Sequence, residues 1–185
     1  ACRGIRLERE LVCPHGRDLV ILRWRLLDDI SLPVVLRVRP MLTGRDFHAT
    51  HLENATLRSE ATVTEGQVVW HPYEGLPAVR ALHNGQYHHQ PDWYRHIHYR
   101  VEQERGLDHV EDWWSPGECL FTLTPGTTAE LVCTTETMPT LSVTQLVETE
   151  RRRRAGLVSS APTEDELTRR LWVASNAYLV QRGAR

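Results

Sequence analysis

The N-terminal part of the chain alternates apolar and charged positions, a pattern typical of half-buried β-strands. The alternation runs through residues 5–13, 19–27 and 32–39, and the second of these segments is LVILRWRLL. Pro14–Asp18 supplies turn residues between the first two segments. Because the connections are short, the pattern predicts three antiparallel neighbours in one meander.

Further short strands are predicted after an irregular or helical stretch that ends near residue 58. They cover residues 60–65, 67–71, 77–83, 86–89, 94–102, 118–124 and 128–134. Asn84–Gly85 and Pro125–Gly126 carry residues that tight turns need, so each is predicted to close a hairpin between its flanking strands. About ten short strands separated by turns predict a mainly β fold, an antiparallel β-sandwich over residues 1–138.

Helical patterns replace the period of two after Met138–Pro139. Residues 139–162 are expected to form a linker with a helix, in which Ala155–Gly156 and Ser159-Ser160-Ala161-Pro162 form a break. A second helix is predicted over residues 163–185, opened by the capping box Thr163-x-x-Glu166. Its apolar stripe consists of Leu167, Leu171, Ala174 and Tyr178. We expect this extension to lead towards a further domain, which makes the chain part of a longer protein.

Charge and length exclude several classes of function. The 185 residues suffice for one domain with its own core, and the net charge of −2 gives no general attraction to nucleic acid or anionic membranes. The run Arg151–Arg154 is interpreted as a solvated helix end, because no aromatic platform for nucleic-acid bases lies beside it. No apolar segment approaches the roughly 20 residues of a membrane helix.

Residue usage narrows the chemistry further. All 22 basic residues are arginine, which excludes lysine nucleophiles and Schiff bases. Free thiols in a cytoplasmic protein are expected, because the cysteines are far apart and form no C-x-x-C pair. They are Cys2, Cys13, Cys119 and Cys133. No nucleophile elbow and no Gly-rich phosphate loop is recognisable. No cofactor is expected.

Aromatic rings and histidines are concentrated between residues 70 and 114. This segment holds eight of the thirteen aromatic residues and seven of the ten histidines. Its carboxylates include Asp92, Glu102, Glu104, Asp108, Glu111 and Asp112. Rings with polar edges among charged groups suit a concave surface for polar ligands with apolar faces, above all sugars. A polar network under a long loop, with the rings packed on the domain's own sheet, explains the same pattern.

Two more specific sites can be drawn from this segment. His96-x-His98-x-x-x-Glu102 has the spacing of the first cupin metal motif, although the preceding glycine and a second histidine motif are missing. Glu102 and Glu104 would share one strand face, but such neighbours rarely flank a sugar bond as a glycosidase requires. Together with Arg105, they are instead expected to form ion pairs with neighbouring strands.

Four ordered blocks of sequence carry a family resemblance. They are RVRPMLTGRDFHATHLENA (37–55), WHPYEGLP (70–77), PDWYRHIHYRVEQERGLDHVEDWWSPG (91–117) and NAYLVQR (176–182). In this order, and over nearly the whole chain, they resemble the N-terminal region of bacterial and archaeal glycogen-debranching enzymes of the amylo-α-1,6-glucosidase type. The chain departs from the usual pattern at His96–Ile97–His98 and at Trp113–Trp114.

The resemblance implies a non-catalytic, supersandwich-like domain that packs against its own C-terminal α/α-toroid in a cytoplasmic α-1,6-glucosidase. The implied ligand is an α-glucan such as glycogen; no catalytic residue in this chain, no metal or other cofactor, no nucleic acid and no membrane is implied. The residues expected to contact glucan or toroid are Arg45, Asp46, His48, Asp92, Trp93, Tyr94, Arg95, Glu104, Arg105, Asp108, Trp113 and Trp114. A purely structural interdomain module and a cupin-like metalloprotein are the alternatives.

Overall fold

The computed structural model describes residues 4–46, 48–137, 142–162 and 165–179. In these ranges the strands are β1 (Leu7–Val12), β2 (Leu19–Leu26), β3 (Val34–Val38), β4 (Ala61–Thr64), β5 (Gln67–Trp70), β6 (Val79–His83), β7 (Gln86–His98), β8 (Val110–Leu123) and β9 (Thr128–Thr134). The helices are α1 (Arg100–Glu104), α2 (Val143–Ser159) and α3 (Glu166–Ser175), with a 3₁₀ turn at Asn176–Tyr178. The prediction of a mainly antiparallel β fold with a C-terminal helical extension is confirmed.

The strands form two sheets that enclose the main core. One sheet has six strands in the order β1-β2-β9-β6-β5-β4, and the other has three in the order β3-β8-β7. Buried side chains from both sheets meet between them, with Trp24 and Leu131 on the large sheet and Trp114 and Phe121 on β8. The rings of Trp24 and Phe121 lie 6.1 Å apart between centroids. This shared core makes the two sheets one packed unit.

Helix α2 covers part of the outer face of the large sheet. Its Leu146 and Val147 pack against Leu19, Ile21 and Val132 of the sheet. β2 therefore buries side chains on both faces, which is why its sequence is more continuously apolar than that of β1. The helix begins with a capping box, in which Ser142 Oγ accepts from Gln145 N and Gln145 Oε1 accepts from Ser142 N.

The predicted break at Ala155–Gly156 is wrong, because α2 continues through both residues to Ser159. The run Arg151–Arg154 therefore lies within the helix and not at its end. Carboxylates of the same helix and of β1 bind these arginines: Arg151 pairs with Glu10, and Arg153 and Arg154 pair with the buried Glu150. Of this run, Arg151 joins the helix to the sheet, whereas Arg153 and Arg154 make bonds within the helix.

The second helix begins later than its sequence signal suggested. Thr163 lies outside the described residues, and Asp165 caps α3 by accepting a hydrogen bond from Thr168 N at 2.7 Å. The predicted apolar stripe on α3 is largely uncovered, since Leu167 is 66% and Leu171 60% exposed. None of the helices in the described ranges is long and apolar enough to cross a membrane.

The predicted meander is right for β1 and β2, which pair antiparallel, and wrong for β3, and both predicted hairpins are wrong. β3 pairs with β8 in the smaller sheet, and the second neighbour of β2 is β9. At Asn84–Gly85 the chain crosses between sheets: Asn84 Nδ2 donates to Thr128 O and its Oδ1 accepts from Glu130 N. A Cβ on Gly85 would lie 2.3 Å from Leu120 O, so close packing explains the glycine.

Pro125–Gly126 makes a turn, but that turn also joins different sheets. Thr127 N donates to Thr124 O at 3.0 Å, and Gly126 has a φ of 82°. The strands on either side, β8 and β9, belong to the small and the large sheet, respectively. Turn chemistry was therefore identified correctly, whereas the strand pairing was not.

The thiols described by the structure are free, and two of them are shielded. Cys13 is exposed, Cys119 is buried and Cys133 is half-buried, while Cys2 lies outside the described residues. Burial raises the pKa of Cys119 to about 12 and that of Cys133 to about 11. Both thiols therefore stay protonated and unreactive near neutral pH.

Candidate ligand-binding cleft

A polar cleft forms at one end of β8, where three segments of the chain meet. β3 occupies one edge of this strand as far as Val38, and Leu42 and His51 then pair with the same edge. Leu42 N donates to Trp114 O at 2.8 Å, and Asp112 N donates to His51 O at 2.6 Å. The third segment, α1 and its flanks, follows β7 on the other side of β8.

The main cleft has a volume of about 610 Å³. It is lined by Arg45, His48, Ala49, Thr50, Tyr99, Glu102, Arg105, Leu107 and Asp108. A side cleft of about 340 Å³ is lined by Met41, Thr43, Arg45, Tyr99, Glu111 and Trp113. Because Arg45 and Tyr99 line both, the two clefts adjoin, and together they have the size of a small-ligand site.

Glu111 is the centre of the hydrogen-bond network beneath the clefts. Its carboxylate accepts from Arg45 Nε at 2.7 Å, from Trp113 Nε1 at 2.8 Å, from His51 N at 3.1 Å and from Tyr99 OH. Burial acts to raise the pKa of this 1% exposed group, but the donors outweigh it and lower the pKa to about 2. The ionised carboxylate fixes the orientation of the arginine and of both rings.

Asp112 anchors the backbone on both sides of β8 in a similar way. Its Oδ2 accepts from Glu53 N at 2.9 Å and its Oδ1 from His96 N at 2.8 Å, and these bonds lower its pKa. His96 has a φ of 59° at a register shift of β7, a left-handed conformation that is uncommon outside glycine. The irregularity in β7 thus presents an N–H to the aspartate.

The nearby His51 belongs to the support of the cleft. It is 6% exposed, its Nδ1 lies 3.2 Å from Asp112 O, and its Nε2 lies 2.7 Å from the hydroxyl of Tyr73. Asn54 Nδ2 donates to the same hydroxyl at 2.9 Å. These bonds fix the segment that forms one wall of the main cleft.

The structure brings five of the twelve predicted site residues to the clefts. Arg45, His48, Arg105 and Asp108 line the main cleft and Trp113 the side cleft. Asp46 adjoins them, because its Oδ1 accepts from His48 N at 2.9 Å.

The other predicted residues lie elsewhere on the small sheet or on α1. Trp114 is 1% exposed in the core, so the expectation that its ring contacts a ligand is wrong. The half-buried Trp93 packs against His51 at 5.2 Å between ring centroids, and the guanidinium of Arg39 lies 5.9 Å from the ring centroid of Tyr94. The charged residues of this group bond to other parts of the domain outside the clefts. Arg95 pairs with Glu53, Glu104 pairs with Arg100, and Asp92 accepts from Trp93 N.

The sequence did not indicate that Tyr99 and Glu111 organise the site. Glu111 is separated from Arg45 by 66 positions, so no local pattern joins them. The one signal for Glu111 was the composition of its segment. A carboxylate among aromatic residues is expected to have a cationic partner if it is buried. That rule does not say which of the many arginines provides it.

The alternative chemistries find no support in the described ranges. No group of three or more potential ligands there could hold a metal ion, so His96, His98 and Glu102 do not form a metal site. Glu102 and Glu104 lie on a helix and not on a strand face, and they pair with Arg105 and Arg100 of the same segment. The predicted ion pairs between strands are therefore wrong.

Fold and cleft together define an antiparallel β-sandwich domain with a polar, aromatic-lined site of ligand size. The family model described as glycogen debranching enzyme N terminal matches residues 1–130, and the chain belongs to this family. The resemblance found in the sequence is thereby confirmed for the sandwich, whereas α2 and α3 lie beyond the matched residues. The chain matches no curated protein and no solved structure.

Proposed function

We propose that this chain is the non-catalytic N-terminal region of a glycogen-debranching-type α-1,6-glucosidase, a glycoside hydrolase, and that it binds α-glucan and packs against the catalytic toroid. The observation that carries the proposal is the pair of adjoining clefts built around Arg45 and Tyr99. Their contents match an oligosaccharide: aromatic rings for the apolar sugar faces, and charged and hydroxyl groups for the sugar hydroxyls.

Preorganisation supports this assignment. The Trp113 indole donates to both Glu111 and the Tyr99 hydroxyl, so both rings are held before a ligand arrives. Sugar binding that uses fixed rings loses little side-chain entropy on association. In this proposal the exposed Arg105 and Asp108 beside the cleft bond sugar hydroxyls.

The acid–base properties of Glu111 argue against its acting as the general acid of a glycosidase. A glycosidase needs one carboxylic acid with a raised pKa to protonate the leaving oxygen. Glu111 has a pKa of about 2 and all its donors in place, so it stays ionised at neutral pH. In this proposal the hydrolytic carboxylates belong to the toroid.

Packing against the toroid is supported by the exposed side chains of the helical extension. Leu167 and Leu171 are followed by Trp172 at 42% and Tyr178 at 85% exposure. Apolar side chains of this size on successive turns form a surface suited to a protein partner. The purely structural alternative keeps this contact and omits the glucan.

A cytoplasmic location is part of the same proposal. Three free thiols, at Cys13, Cys119 and Cys133, are the state favoured in a reducing compartment.

The test is isothermal titration of the chain with maltooligosaccharides and with branched glycogen. We expect saturable binding, weakened at least about fivefold in Asp108→Ala because a cleft acceptor is lost. Asp92→Ala is the matched control, since Asp92 is also exposed but lies outside the clefts, where its Oδ1 accepts from the adjacent Trp93 N. Absence of binding in the unaltered chain would reject glucan contact and favour the purely structural module.

A further inference from the structure

Asn84 and Gly85, where the chain crosses between the sheets, are each required by a contact with a neighbouring strand. Asn84 takes the place of a strand residue beside β9: its Nδ2 donates to Thr128 O at 2.8 Å, and its Oδ1 accepts from Glu130 N at 2.9 Å. Gly85 is confined by β8, because a Cβ there would lie 2.3 Å from Leu120 O. The contacts with the two sheets therefore require this amide and this glycine in succession.

The same succession favours loss of the side-chain amide, because a glycine has no side chain to hinder attack by its own backbone nitrogen. In this reaction the nitrogen of Gly85 bonds to Asn84 Cγ and gives up its proton, the Cγ–Nδ2 bond breaks, and ammonia leaves. Water then opens the resulting succinimide ring. Cleavage between the nitrogen and Cγ leaves aspartate. Cleavage at the main-chain carbonyl carbon leaves isoaspartate, in which the Cβ has entered the main chain.

We propose that Asn84–Gly85 is a deamidation site that the fold restrains, and that its modification disconnects the crossing from the neighbouring strands. Ring closure requires the side-chain amide to rotate until its Cγ faces the nitrogen of Gly85, whereas the two bonds to β9 fix the plane and direction of that amide. Asn84 is exposed, so these bonds and not exclusion of water restrain the reaction. Deamidation therefore requires a local opening of the crossing.

The product does not fit the contacts that held the asparagine. A carboxylate places an acceptor oxygen where Nδ2 donated, so that oxygen meets Thr128 O without a hydrogen between them. In isoaspartate the main chain gains one carbon atom next to Gly85, where Leu120 O already excludes a Cβ. Because refolding does not restore the amide, a molecule that has opened and reacted stays altered.

Peptide mass mapping tests the restraint. The unaltered chain is kept in mildly alkaline buffer, once folded and once in urea, and the deamidated fraction at each asparagine is followed. Asn54 is the internal control, since Ala55 follows it and hinders ring closure. We expect Asn84 to react faster than Asn54 in urea, and at least about tenfold more slowly in the folded chain than in urea. Equal rates at Asn84 in the two conditions, or a faster reaction at Asn54 in urea, would overturn the inference.

The variant Asn84→Asp tests the consequence, because it reproduces the aspartate product. We expect its Tm at neutral pH to be lower than that of the unaltered chain by at least about 3 °C. The difference should narrow as the pH falls, since a protonated carboxyl again donates to Thr128 O. Asn176→Asp is the matched control, because Asn176 Oδ1 accepts from Arg153 and a carboxylate keeps that bond. An unchanged Tm in Asn84→Asp, or a loss that does not depend on pH, would contradict the inference.

Discussion

At the scale of single residues, two buried glutamates hold the polar parts of the molecule together. Glu111 fixes the clefts, and Glu150 fixes α2, where it accepts from Arg153, Arg154 and His15 N. The arginine bonds outweigh burial and lower the pKa of Glu150 to about 2, close to that of Glu111. A buried charge without such partners would cost several kcal/mol, so each glutamate depends on its own set of donors.

The first prediction concerns acid stability. The folded-state pKa of Glu111 is about 2 against an ordinary value of 4.5, so its ionisation stabilises the fold above about pH 4.5. That contribution is lost as the pH falls towards 2. We expect Glu111→Gln to lower the free energy of unfolding at pH 7 by about 1–3 kcal/mol and to flatten its decline below pH 4.5. Urea unfolding between pH 7 and pH 3 measures both effects.

Glu53→Gln provides the comparison for this prediction. Glu53 also pairs with an arginine, but its side chain is 43% exposed, so the change should cost little and leave the acid response intact. An equally steep decline in Glu111→Gln and in the unaltered chain would show that Glu111 does not titrate with unfolding.

At the scale of elements, most strands were predictable, whereas of the predicted pairings only that of β1 with β2 is observed. Alternation identified β1, β2 and β3 because it depends only on which side chains are buried. Asn84–Gly85 has the chemistry of a hairpin, yet the residues serve a crossing between sheets: Asn84 binds β9 and Gly85 fits against Leu120. A turn sequence specifies a reversal of the chain and cannot specify whether both arms stay in one sheet. The cleft was only partly predictable for the same reason, since it joins Arg45 to residues near 105.

A second prediction follows from the continuous helix α2. Gly156 lies inside this helix, and a Cβ at that position would meet no atom within 4 Å. Gly156→Ala should therefore raise the free energy of unfolding by about 0.5–1 kcal/mol, because alanine loses less backbone entropy on folding. Gly85→Ala is the contrasting variant, since its Cβ would collide with Leu120 O, and it should destabilise the domain. If Gly156→Ala destabilised the chain, helix α2 would not continue through this position.

At the scale of the whole molecule, the apolar surface is distributed unevenly. The sandwich buries Trp24, Trp70 and Trp114 in one core, whereas Leu167 and Leu171 on α3 face outwards. The large sheet is also wider than the small one, so Leu7 and Leu11 of β1 are 40% and 55% exposed. Exposed apolar surfaces of this kind are typical of a domain that packs against a further protein surface.

The third prediction tests the α3 surface. The double variant Leu167→Ser with Leu171→Ser should bind less of the hydrophobic dye ANS than the unaltered chain, with a Tm unchanged within about 2 °C. Val35→Ser is the control, because Val35 is 63% exposed but lies on the sandwich. A large drop in Tm would mean that the two leucines are packed in the folded domain, which would contradict the exposed stripe.

The charged side chains of α2 also have a mechanical consequence. Arg151 donates to Glu10 of β1, and Glu150 accepts from the backbone N–H of His15. Arg153 donates to Asn176, which follows α3. A force that pulls on the C-terminal end of the domain therefore acts on side-chain bonds to the edge strand of the large sheet and to the turn after it, and not on the covalent chain alone.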